Sequence, residues 1–121
     1  LGVDVHVHVD RAALRELADL GGRDFVHEVV HAFIQDAQVD IAGMLASAAR
    51  RDFKRMREHS HRVRGAAAYV GAHELNALCE QTSEFAKAGR FEKVEEYLGY
   101  VAQELKDVVA DFGVAVRETV G

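Results

Sequence analysis

The sequence predicts an all-α fold, an antiparallel four-helix bundle with a short additional N-terminal helix. Three observations carry that expectation. Proline is absent from all 121 residues, so nothing breaks a helix from within. The chain is rich in Ala, Leu, Glu, Lys and Arg, the strongest helix formers. Apolar positions recur three and four residues apart almost throughout, the repeat of a helix with one buried face. At this length, with 49% hydrophobic residues, the chain suits one domain with a sizeable core. We assign residues 1–9 to an extended lead-in and residues 10–121 to a single helical domain.

Residues 1–9 alternate as a strand would, but no second strand follows to pair with them, so they are read as a lead-in. Asp10 offers an N-cap to a short helix carrying Leu14 and Leu17, which Gly21-Gly22 stops. A long helix then runs from about Asp24 to Ala49, with Val26, Val30, Phe33, Ala37, Ile41, Met44 and Ala48 along one face. Asp52 caps the next helix, whose buried line is Phe53, Met56, Ser60, Val63, Ala67 and Val70, ending at Gly71. Leu75, Leu78, Thr82 and Phe85 mark another helix that stops near Gly89. The last runs from about Phe91 through Val94, Leu98, Val101, Leu105, Val108 and Phe112. Four long amphipathic segments with short connections close most simply into an antiparallel bundle, with the first helix as a cover.

A formal net charge of −5 argues against general nucleic-acid binding. The single cysteine, Cys79, excludes an internal disulfide and points to a reducing, cytoplasmic setting. Its helical spacing from Leu75, Leu78 and Thr82 reads as core. No apolar run approaches the roughly 20 residues of a membrane span, and no signal peptide opens the chain. The chain begins at Leu1, which fits a module cut from a longer protein.

Chemistry concentrates on residues 52–70. Each residue of a helix turns about 100°, so with Met56, Val63 and Ala67 facing inward, His61 projects roughly 120° from the buried line and should be exposed. On the same outer strip lie Lys54 and Arg57 before it, Arg64 and Gly65 three and four after it, and Ala68 a turn further. Cations around a histidine suit a phosphoryl carrier, because phosphoryl transfer needs charge stabilisation and in-line access more than covalent assistance. The strip also fits a solvated basic face bearing a surface histidine. Gly65 weighs against that: glycine within a helix costs up to about 1 kcal/mol relative to Ala, which suggests a close approach from outside.

Two other histidine patterns compete. His27-Glu28-Val-Val-His31 matches the spacing of zinc proteases, and would make the protein a zinc hydrolase. No third ligand or extended motif follows it, and a surface role is preferred. The pairs His6-Val-His8 and His59-Ser-His61 could add metal ligands, but these histidines do not line the deduced core faces. His59 projects almost opposite His61, at the boundary of the apolar stripe, and is read as packing or surface. No metal ligand set and no cofactor are expected.

The stretch from His61-Arg-Val-Arg-Gly65 through Gly71-Ala-His-Glu-Leu75-Asn-Ala-Leu-Cys79 resembles the signature of the histidine phosphotransfer (HPt) domain family, found in bacterial phosphorelays and at the C-terminus of hybrid sensor kinases. The likeness continues at Asp24-Phe25, Phe33-Ile34, Asp36-Ala37, Asp52-Phe53 and Ala88-Gly89. It implies that His61 is the phosphoacceptor, Arg64 its basic neighbour and Gly65 the clearance for docking, with Lys54, Arg57 and Ala68 on the same docking strip. It further implies response-regulator receiver domains as partners and Mg2+ on those receivers and not on this chain, whether the module stands alone or as a domain of a membrane-anchored sensor kinase. No GxxxxGK(S/T) loop occurs, so no kinase activity of its own is expected, and apolar faces that can satisfy one another within one chain predict a monomer. Two positions depart from the family pattern: Arg64 stands where Lys is usual, and an acidic residue usual after the Leu-Cys run is displaced to Glu84. The competing reading on the same fold is a non-catalytic module that only binds a receiver or another signalling partner.

Overall fold

A computed structural model describes residues 8–121. Most of the lead-in, residues 1–7, and with it His6, lies outside the described residues. Among the described residues, four helices account for the fold: α1 (Arg11–Ala49), α2 (Phe53–Tyr69), α3 (His73–Lys87) and α4 (Phe91–Thr119), with no strand. Each packs on its neighbours in sequence, and α4 closes back on α1, leaving α2 and α4 diagonal. Connections of three residues make the neighbours antiparallel.

The short and long helices expected on either side of Gly21-Gly22 are both present, run together within α1 across a kink. Only Gly22 leaves helical values (φ 85°, ψ −173°), and the chain re-enters the helix at once. The interruption is therefore a kink and not a loop. Both expected caps are in place: the Asp10 carboxylate accepts from the Ala12 N–H at 2.9 Å and that of Asp52 from the Arg55 N–H at 3.1 Å.

The core follows the predicted faces with small shifts. Met56, Ser60, Val63, Ala67 and Val70 of the α2 line are buried, as are Val94, Leu98, Val101, Leu105, Val108 and Phe112 of α4. On α1 the line ends on Ser47, which is buried, instead of Ala48, which is half-buried, and the Ser47 carbonyl accepts the Asp52 N–H at 2.8 Å. On α3 Cys79 is fully buried, while Leu78 and Phe85 are only half-buried. Phe33 meets Phe112 edge-on at 5.9 Å between α1 and α4. Phe53 at the edge of the core stacks on Phe91 at 4.3 Å.

Two long-range ties fix the N-terminal end. The Asp10 N–H donates to the Gly71 carbonyl at 2.9 Å. Gly71 has φ 83°, and a Cβ there would meet Ala13 Cβ at 2.8 Å, so both the turn and the close approach require glycine. Arg11 forms a bidentate pair with Asp111 at 2.7 and 2.9 Å and donates to Glu118 at 2.9 Å. The Arg11 guanidinium holds the Asp111 carboxyl below its ordinary range.

Candidate functional site

The azimuth of α2 is set by two adjacent side chains. Ser60 is buried and donates to the Cys79 carbonyl at 2.9 Å, while Ser83 donates to Ser60 Oγ at 3.0 Å, tying α2 to α3. His59 turns the other way, to α1, where its Nδ1 donates to Asp40 at 2.8 Å and its ring occupies the space a Cβ at Gly43 would need. Arg62 Nε donates to the same Asp40 oxygen at 3.1 Å. With 59 and 60 locked to opposite neighbours, the next residue, His61, faces solvent. No hydrogen bond or ion pair engages its ring among the described residues.

His61 sits in a shallow surface groove with Lys54, Arg57, Glu58 and Arg62. Two of the four residues expected to form the docking strip, Lys54 and Arg57, are thus beside it. Gly65 is exposed, and an added Cβ would find open space, so the helix surface one turn from His61 is clear. Ala68 is exposed but belongs to a neighbouring hollow, formed with Leu17, Leu20, Tyr69 and His73. Leu20 (75% exposed) and Tyr69 (53%) give that hollow an apolar rim.

Arg64 leans towards α3. Its Nε donates to Asn76 Oδ1 at 3.2 Å, and Nη2 lies 3.5 Å from Glu80 Oε2. The guanidinium is thereby oriented at half exposure. The acid that meets Arg64 is Glu80, directly after Cys79, whereas Glu84, which the sequence reading took as the displaced acid of the family pattern, pairs with Lys87 at 3.3 Å. Arg62, Asn76 and Glu80 were not singled out from the sequence. The i, i+1 relation of Glu80 to Cys79 was the available signal.

Cys79 is core, as its spacing implied, and burial pushes its thiol up to about 12. His27 and His31 are exposed on α1, in keeping with a surface role. The described residues do contain one cluster of metal-ligating types, His8, Glu104 and Asp107, remote in sequence from that motif.

A family model described as the Hpt domain matches residues 28–111, well over half of the chain. Histidine-containing phosphotransfer protein 2 of Arabidopsis thaliana is 31% identical over 96 residues, covering 77% of this chain and 62% of its own. The phosphorelay intermediate protein rdeA of Dictyostelium discoideum is 23% identical over 88 residues, 73% of this chain and 35% of its own. The chain therefore spans between about one third and three fifths of the length of these curated relatives. Among solved structures, histidine-containing phosphotransfer protein B of Pseudomonas aeruginosa superimposes with a TM-score of 0.84 at 19% identity, covering 94% and 98% of the two chains. A maize histidine-containing phosphotransfer protein gives 0.77 at 26% identity, covering 91% and 90%.

Proposed function

The chain belongs to the Hpt domain family, and from that premise we propose that His61 takes a phosphoryl group from the aspartyl phosphate of one receiver domain and delivers it to an aspartate of another. The observation that carries this reading is the position of His61: an unengaged imidazole, in a groove lined by Lys54, Arg57 and Arg62, beside a helix surface left clear at Gly65.

In the accepting step a ring nitrogen of His61 attacks phosphorus. The N–P bond forms as the acyl phosphate O–P bond breaks, and the receiver's carboxylate leaves with the electron pair. The reverse sequence loads the next receiver. Charge on the transferring group is spread over its oxygens, and cations held nearby stabilise it. Arg64, oriented by Asn76 and Glu80, is assigned to that role with Lys54 and Arg57. Gly65 gives the receiver access to His61, and Ala68, with the rim of Leu20 and Tyr69, extends the docking face. Magnesium is assigned to the receivers, and the domain to a monomer, since the apolar faces of its helices are satisfied within one chain. Among the described residues no helix is long and apolar enough to cross a membrane.

The test is incubation with a phosphorylated receiver. The wild-type chain should gain an acid-labile, base-stable label, and His61→Gln, which keeps size and polarity but removes the nucleophilic ring nitrogen, should gain none while retaining its helicity. Label persisting in His61→Gln places the acceptor elsewhere; no label with any receiver tried leaves a module that binds without transferring.

A further inference from the structure

One side of α4 carries Glu104, Asp107 and Asp111 at steps of three and four residues, the first buried and the others half-buried, and the chain brings His8 to this row from 96 positions away. His8 Nδ1 lies 2.8 Å from Glu104 Oε2. His8, Glu104 and Asp107 each offer one donor atom, all within 4.8 Å of one another. Glu104 is only 7% exposed, and its counter-charge is the His8 imidazole with which it is paired. The charged groups acting on it are His8, Glu74 and Asp107, three carboxylates around one imidazole when Glu104 itself is included. Arg11, which shares this end of the molecule, is engaged by Asp111 and Glu118. Asp107 meets the Gln103 amide and, among the described residues, no cationic side chain within ion-pair distance.

Imidazole nitrogen and carboxylate oxygen are both ligand types that zinc takes, and three protein ligands leave a further position for water. The supporting contacts are also present. Asp111 accepts the backbone N–H groups of His8 and Val9 at 3.2 and 3.0 Å, fixing the residue that presents the imidazole, and Gln103 Nε2 donates to Asp107 Oδ1 at 3.2 Å. We propose that His8, Glu104 and Asp107 form a binding site for a divalent zinc-class ion that clamps the N-terminal lead-in to α4. The site lies on the helix diagonal to α2, so it is separate from the His61 groove and independent of the phosphotransfer reading.

The full chain is titrated with Zn2+ in competition with a chelating indicator. One equivalent should bind, and His8→Ala and Asp107→Asn should each weaken binding at least about tenfold. The double variant His27→Gln, His31→Gln should bind as wild type. Co2+ in place of zinc should give the visible absorption of a low-coordinate nitrogen and oxygen site, lost in Glu104→Gln. Glu104 is buried, so that variant is checked by circular dichroism, while Asp107→Asn at its half-exposed position tests the site without touching the core. Absence of stoichiometric binding at micromolar Zn2+ overturns the proposal. So does binding that survives His8→Ala and Asp107→Asn but disappears in the His27, His31 double variant.

Discussion

His59, Ser60 and His61 are consecutive on α2, and a turn of about 100° per residue sends the first to α1, the second to α3 and the third to solvent. Two histidines two positions apart therefore differ in every property that matters for chemistry. His59 is held by Asp40 at 2.8 Å and half-buried, whereas the His61 ring is unengaged. We expect His59→Gln to lose about 1–2 kcal/mol of stability, the worth of a charge-assisted hydrogen bond in partial burial, while still accepting phosphate. A thermal melt together with the labelling assay checks both halves; loss of label at unchanged helicity would make His59 the functional residue. The neighbouring thiol gives a second test. Only the thiolate alkylates, and with the Cys79 pKa pushed up to about 12 by burial, almost none exists near pH 8. Iodoacetamide should label Cys79 only at the rate at which the domain opens, and addition of urea should accelerate labelling sharply. Fast labelling of the folded chain would mean that the α2 to α3 seam is open.

At the scale of helices, two interior glycines do opposite work. Both Gly43 and Gly65 lower helix propensity by up to about 1 kcal/mol relative to Ala. A Cβ at Gly65 meets nothing, but one at Gly43 would run into the His59 ring. Gly65→Leu should therefore raise the melting temperature while slowing transfer from a receiver, because the side chain obstructs docking. Gly43→Ala should destabilise by about 1 kcal/mol, since displacing the ring and its Asp40 bond outweighs the gain in propensity. In a His59→Ala background the same substitution should become stabilising. If Gly43→Ala is stabilising in the wild type, the ring does not seat on α1. This contrast also marks what the sequence could show. Asp10, Asp52, Gly22 and Gly71 were legible because caps and turns depend on their immediate neighbours. The seating of His59 on Gly43, and of Arg64 on Asn76 and Glu80, depends on how two helices are rotated against each other. Periodicity gives the buried face of each helix but not which residues meet across a seam, whereas Glu80, next to Cys79 in the chain, was legible and was passed over for Glu84.

For the whole molecule, charge is segregated more strongly than its sum of −5 reveals. Arg50, Arg51, Lys54, Arg55, Arg57, Arg62 and Arg64 fall within fifteen consecutive positions, with only Asp52 and Glu58 among them. That segment is net positive by five, and the rest of the chain is correspondingly net negative by ten. The basic end of the molecule is the one that bears His61. A receiver must present carboxylates at its own phosphorylation site, so the long-range field should steer the two faces together before contact. Such steering is screened once the Debye length falls well below the size of the patch, from about 10 Å at 0.1 M salt to about 3 Å at 1 M. The association rate constant with a receiver, measured by stopped flow, should therefore fall by roughly tenfold or more over that range, with the dissociation rate changing little. Replacing Arg50 and Arg55, which lie outside the His61 groove, with Gln should lower the low-salt rate and flatten its salt dependence. Phosphoryl transfer within the formed complex should be unaffected by that change. An association rate indifferent to salt would show that docking rests on the apolar rim at Leu20 and Tyr69, and that the basic segment acts only at the reacting phosphoryl group.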